Sequence, residues 1–242
     1  MSLRPRTIVL LAIAAIAAFA CARLGVWQIR RLNERRAFNA LLLSRMREPV
    51  VPIAQLPADT GAGHYRTVQA HGTLEYPREF AWAARMRQES PGVNLLTPMR
   101  VEGLEGLLVV DRGWVYSPDA RTVDLARWRE SDTATVRGYV ETWTAFCGAA
   151  AAAIPVTCGD TALRILRRLD STTASRLAGA PVAPYLLVQT SDSALRADSV
   201  PVRLSEPVLD EGPHFSYAVQ WFGFAVIAVV GGVTLAIHDA RR

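Results

Sequence analysis

Histidine is the side chain best suited to bind a metal or move a proton near neutral pH, and the chain has four, His64, His71, His214 and His238. His214 stands where a polar stretch gives way to an apolar one, Gly212-Pro213-His214-Phe215-Ser216-Tyr217-Ala218-Val219-Gln220-Trp221-Phe222-Gly223. At helical spacing His214, Tyr217, Ala218, Trp221 and Ala225 share one face. A histidine at a membrane boundary beside small and aromatic residues could ligate a flat, apolar cofactor such as haem. An interfacial histidine among belt aromatics accounts for the same residues, and composition alone favours that plainer reading. A matching boundary ends the first apolar run, Leu24-Gly25-Val26-Trp27-Gln28-Ile29-Arg30-Arg31, with Arg35 and Arg36 following. Trp27 suits an aromatic belt there, and Arg30 and Arg31 suit lipid headgroups.

Other chemistries lack their residues. The sequence has no P-loop, GxGxxG, GxSxG, HExxH or CxxC, which removes the usual bases for nucleotide binding, hydrolysis and structural zinc. His71 falls on the polar face of a two-residue repeat and His64 in a loop, so both read as solvated surface residues. Of three cysteines, Cys21 lies in the first apolar run, while Cys147 and Cys158 flank a low-complexity alanine segment.

The elements that must position these residues are set by hydropathy. Thr7–Ile29 and Phe215–Ile237 hold most of the apolar excess, and each is long enough as a helix to cross about 30 Å of hydrocarbon. The second run carries no charge, and the first carries only Arg23, near enough to its end to snorkel. The first run continues past Cys21 through Trp27, and Phe19 is bulky for a cleavage motif, so it reads as an uncleaved anchor. All 27 basic residues are arginine. Between the spans 22 arginines meet 21 acidic residues, so the domain lacks the basic face of a nucleic-acid binder.

Between the spans the pattern predicts a helical extension of the first span as far as Pro49 and a loop over Gln55–His64. Strands are then predicted at Tyr65–Leu74, Phe80–Arg87, Leu95–Val101, Leu107–Val115, Thr135–Trp143, Tyr185–Thr190 and Val202–Leu204, with a helix over Leu163–Leu177. The fold class is thus a membrane protein with two transmembrane helices and one α+β, mainly antiparallel β, extramembrane domain. Its divisions are an N-terminus 1–6, a span 7–29, the domain 30–212, the second span with its approach 213–237, and a C-terminus 238–242.

The two boundary segments, LGVWQIRRLNER and GPHFSYAVQWFGFA, together resemble the surfeit locus protein 1 family of cytochrome c oxidase assembly factors. Tyr65-Arg66-Thr67-Val68, Gly72, Pro91-Gly92, Leu96-Thr97-Pro98, Val109-Val110-Asp111-Arg112-Gly113-Trp114-Val115, Ala180-Pro181-Val182 and Pro184-Tyr185-Leu186-Leu187 follow in the family's order. The chain departs from the pattern in three places. Tyr116 and Ser117 precede Pro118, Pro213 replaces an asparagine, and the Cys147–Cys158 segment replaces a shorter one.

The resemblance implies an assembly factor and not a catalyst, delivering haem a to the large subunit of cytochrome c oxidase, with haem a synthase as a further candidate partner. His214 matches the family's candidate iron ligand. Tyr217, Trp221 and Trp27 would pack near the porphyrin, and Arg30 and Arg31 near its propionates. The alternative is a scaffold that holds oxidase intermediates without touching haem. Contact with membrane lipid is expected, and with nucleic acid it is not. Cys147 and Cys158, facing an oxidising compartment, are expected to form a disulfide.

Arg4, Arg6, Arg241 and Arg242 place both termini in the cytoplasm of a bacterial cell, with the domain on the periplasmic side of the inner membrane. Protease added to intact spheroplasts should therefore degrade the central domain; complete protection would contradict that orientation.

Overall fold

The structure, a computed structural model, describes residues 4–57, 59–144, 159–160, 162–190, 200–205, 207 and 209–241. In chain order the elements begin α1 (Pro5–Met46), β1 (Val51–Pro52), a short α2 (Thr60–Gly63), β2 (Thr67–Leu74), β3 (Phe80–Arg87), β4 (Ser90–Val101) and β5 (Leu107–Tyr116). They continue β6 (Thr133–Thr142), β7 (Gly159–Asp160), β8 (Ile165–Leu166), α3 (Ser171–Ala178), β9 (Val182–Gln189) and α4 (His214–Ala240). Two compact units result, Met1–Leu43 with Val208–Arg242, and Ser44–Pro207.

In the first unit α1 and α4 are both long and apolar enough to cross a membrane. Large apolar side chains such as Ile13, Ile16, Phe19, Phe224, Ile227 and Val230 stay exposed, as a helix surrounded by lipid requires. Apart from Leu32 and Leu42, the buried positions are small or polar. Gly25, Gln28, Leu32 and Asn39 form a stripe on α1, and Ala218 and Gly232 are buried on α4. The pairing is antiparallel. Gly25 faces the Phe222 ring, Gly232 faces Ala14 and Leu11, and Arg4 meets Asp239 at 3.5 Å. Without a hydrophobic driving force inside lipid, close backbone approach at small residues supplies the contact.

Among the described residues the second unit holds a nine-stranded sheet in the order β1-β2-β6-β9-β5-β4-β3-β8-β7. β2 also pairs with β4, so β2, β6, β9, β5 and β4 close on themselves. Closure brings Gly72 against the Arg100 carbonyl, where a β-carbon would collide. Strand alternation then sorts the apolar residues. Leu108 and Val110 of β5 and Leu187 of β9 join Val68, Met99 and Val140 in one core. Their neighbours Leu107, Val109 and Leu186 point the other way, into a second core covered by Leu177 and Ala178 of α3.

A buried charge cluster forms around Arg112 of β5, whose guanidinium lies over the Tyr76 ring of the first core. Arg112 is 1% exposed. Its guanidinium donates to Glu79 Oε1 at 2.7 Å, Thr97 Oγ1 at 2.8 Å, and the Trp128 carbonyl and Glu130 Oε1 at 2.7 Å each. Glu130 also accepts from Arg203 Nη2, and Arg203 Nη1 donates to the Arg112 carbonyl. The neighbouring Val202 exchanges two 2.8 Å backbone bonds with Trp114. The Asp-Arg-Gly-Trp strand therefore clamps the segment that leads out of this unit. Burial raises the Glu79 carboxyl despite Arg112 beside it. Asp111, also 1% exposed, accepts from Asn94 Nδ2 at 2.7 Å and the Gly113 amide at 3.0 Å.

Several expectations need correction. The helix predicted over Leu163–Leu177 is the short strand β8 followed by α3, because Asp170 accepts from the Thr173 amide at 2.7 Å and starts a helix there. Leu166 and Leu169 are buried from an extended segment, not from a helical face. The loop Gln55–His64 holds α2, capped by Asp59. Val202 and Leu204 make single bridges instead of a strand. His64 is not simply solvated, since its Nε2 lies 2.8 Å from Glu141 Oε2. His71 is exposed as expected, with Nδ1 at 2.9 Å from Thr135 Oγ1. Cys147 and Cys158 lie outside the described residues.

Burial pushes the Asp111 carboxyl up to about 6. The folded state then holds this proton more tightly than the unfolded chain, so its stability falls as pH rises from about 4 to about 6 and is level above. In thermal melts of the intact protein, Asp111→Asn should lose that component, amounting to at most about 3 kcal/mol. Identical pH slopes for the two proteins would contradict the assignment.

Candidate functional site

The site is built at the polar end of the paired helices, within the first unit. Pro213 precedes the first residue of α4, where its fixed φ suits a helix start. Before it, Asp210 Oδ1 accepts from the Gly212 amide at 2.9 Å, and Gly212 takes φ +71°. This left-handed turn, natural to glycine, sets His214 in the first turn of α4. The imidazole Nδ1 lies 2.8 Å from Gln28 Oε1 on α1. With the Gln28 amide oxygen facing the ring, this is the contact that an Nδ1–H tautomer makes, in which Nε2 carries the lone pair. Nε2 faces Gly212, where a β-carbon would stand 3.6 Å away.

A groove of about 470 Å³ adjoins His214, lined by Arg31, Glu34, Arg35, Phe38 and the Asp210–Gly212 turn. Its charges are largely matched. Arg31 meets Glu34 at 2.8 Å and Arg36 meets Glu211 at 2.9 Å. Arg35 Nε and Asn39 Nδ2 both donate to the Asp210 carbonyl, at 3.0 and 3.1 Å. Arg30 is exposed with no ion pair among the described residues. Further along the helices an apolar groove of about 410 Å³ runs between Ala18, Phe19 and Ala22 on α1 and Ala225, Val226 and Val229 on α4.

Of the residues singled out from the sequence, the structure brings His214 and Arg31 to the groove. Tyr217 and Trp27 are exposed on the helix surfaces, and Trp221 is half-buried with its ring edge-on to Phe224 at 6.0 Å. Arg30 is exposed beside the same boundary. Sequence reasoning missed Gln28 and Gly212, and with them Arg35, Phe38 and Asp210. One signal for Gln28 was present, an amide at the apolar end of a span, three residues from Gly25 on the same helical stripe.

The model of the SURF1 family matches residues 15–226 of the chain. A SURF1-like protein of Rickettsia bellii (strain RML369-C) is 22% identical over 209 residues, covering 86% of this chain and 82% of the relative. A SURF1-like protein of Rickettsia conorii (strain ATCC VR-613 / Malish 7) is 20% identical over 210 residues, with the same coverage of each. The matched range runs from within α1 through the whole sheet into α4 and includes the Gln28–His214 contact. The chain belongs to the SURF1 family, which serves cytochrome oxidase assembly.

Proposed function

We propose that this membrane protein binds haem a through His214 and assists its insertion into the large subunit of cytochrome c oxidase. The observation that carries this reading is the hydrogen bond that engages Nδ1 of His214, while Nε2, beside Gly212, has no hydrogen-bond partner among the described residues. Metal-binding imidazoles commonly have their second nitrogen held in this way. The donor set fits the group: one neutral imidazole nitrogen, no side chain at position 212 to crowd it, and an adjacent groove with Arg31 and Phe38 on its walls. When bound, haem a supplies the redox iron that the oxidase requires.

The chain's own residues hold the ligand and set its depth. His214 begins α4 at the end of an apolar helix, so its imidazole sits at the level where a lipid-borne, apolar cofactor meets polar side chains. Arg30 has no ion pair among the described residues and is the arginine most available to a carboxylate of the cofactor. Arg31 would have to share its guanidinium with Glu34. Tyr217, Trp221 and Trp27 present aromatic surface along the same helices, open to lipid or to a partner. The proposed setting is a bacterial inner membrane with the sheet unit on the periplasmic side. Haem a synthase and the oxidase large subunit are the proposed partners.

Full-length protein purified from cells that make haem a should show a Soret band. His214→Ala should abolish it while leaving the fold intact, because the residue lies at a helix end. His64→Ala and His71→Ala should keep the wild-type spectrum. A wild-type band in His214→Ala would sink the ligand assignment. The absence of haem from every one of these proteins would favour a scaffold that acts without it.

A further inference from the structure

Gln28 is 9% exposed, in the stripe through which α1 meets α4. An amide withdrawn from water is costly unless it is hydrogen-bonded. Leucine or alanine would fill an interhelical position without that cost. The bond to His214 at 2.8 Å satisfies the Gln28 oxygen. Gly25, one turn earlier, lets the helices come close, since a β-carbon there would lie 2.7 Å from the Phe222 ring. Ala218, one turn after His214, is 1% exposed and adds no bulk on the α4 side. Small residues therefore bring the two backbones together where a polar residue on each is bonded to the other.

From this geometry we infer that Gln28 is the positioning residue for His214, fixing the imidazole in the Nδ1–H tautomer with Nε2 presented to the ligand. The inference rests on the reading of His214 as an iron ligand. Gln28 does not touch the metal; it acts by holding the ring and by accepting the hydrogen bond that Nδ1–H donates. An acceptor on Nδ1–H also raises the basicity of Nε2, which strengthens a ligand bond. Gly212 completes the arrangement from the other side, because any larger residue would bring a β-carbon toward Nε2.

Nitrogen-15 NMR of histidine-labelled, haem-free, full-length protein tests the tautomer directly, with His214→Ala identifying the signal. Wild type and Gln28→Glu, which keeps an acceptor, should show the Nδ1–H form. Gln28→Leu should shift His214 toward the Nε2–H form and weaken haem binding about ten- to hundred-fold. In the ferrous haem-loaded proteins the iron–histidine stretch should fall in Gln28→Leu and recover in Gln28→Glu, a pattern that mere loosening of the helices would not give. An Nε2–H tautomer in the wild type, or wild-type haem affinity in Gln28→Leu, would overturn the inference. Should Gln28→Leu fail to fold, the wild-type and Gln28→Glu tautomers still decide it. Retention of wild-type haem by His214→Ala would instead overturn the ligand reading while leaving the tautomer result standing.

Discussion

A guanidinium taken out of water must be neutralised where it lies, and much of the sheet unit is organised around doing so for Arg112. An uncompensated charge in such a site costs several kcal/mol. Arg112 therefore draws on β3's neighbour Glu79, on Thr97 of β4, and on Glu130 and the Trp128 carbonyl ahead of β6. Glu130 in turn holds Arg203, whose neighbour Val202 pairs with Trp114. One buried cation thus fixes the register of distant segments, Val202 and Arg203 among them. Hydrophobic replacement of such a cluster could be equally stable. The cluster contributes definition, because few other arrangements would satisfy every partner.

The helical unit answers a similar demand in a different solvent. Lipid cannot satisfy a polar group, so polar side chains on the helices sit at their ends or face one another. Gln28 and His214 do both, lying at the boundary and bonding across the pair. Around them the charges are arranged in short links, Arg31 with Glu34, Arg36 with Glu211, and Arg35 on the Asp210 carbonyl. These exposed pairs add little stability each. Arg35 and Arg36 reach the turn Asp210–Gly212, where glycine leaves no side chain beside Nε2 of His214.

Much of this is legible in the sequence. Both spans follow from length and apolarity, and β2 follows from its two-residue alternation; Phe80–Arg87 also reads as a strand and is β3. The DRGW motif was visible as a sequence, but its meaning was not. Only the pairing of β4 with β5 and the return of Val202 show Arg112 buried and Asp111 bonded to Asn94. Leu163–Leu177 misled because leucines at helical spacing can also come from an extended segment followed by a capped helix, and the Asp170 cap decides between them. His64 looked solvated because its partner Glu141 is 77 residues away on β6. Gln28 was unread for the same reason: its role depends on a residue 186 positions distant, brought opposite only when the helices pair antiparallel.

The central claim is that a nitrogen of His214 binds iron. Pulsed electron paramagnetic resonance on the ferric haem-loaded protein, carrying nitrogen-15 in its histidine rings alone, reads that bond without reference to assembly or abundance. A nitrogen-15 coupling of an axially bound imidazole in the wild type, lost in His214→Ala, is the result the account predicts. Haem present without such a coupling, or a coupling that survives the substitution, would contradict it.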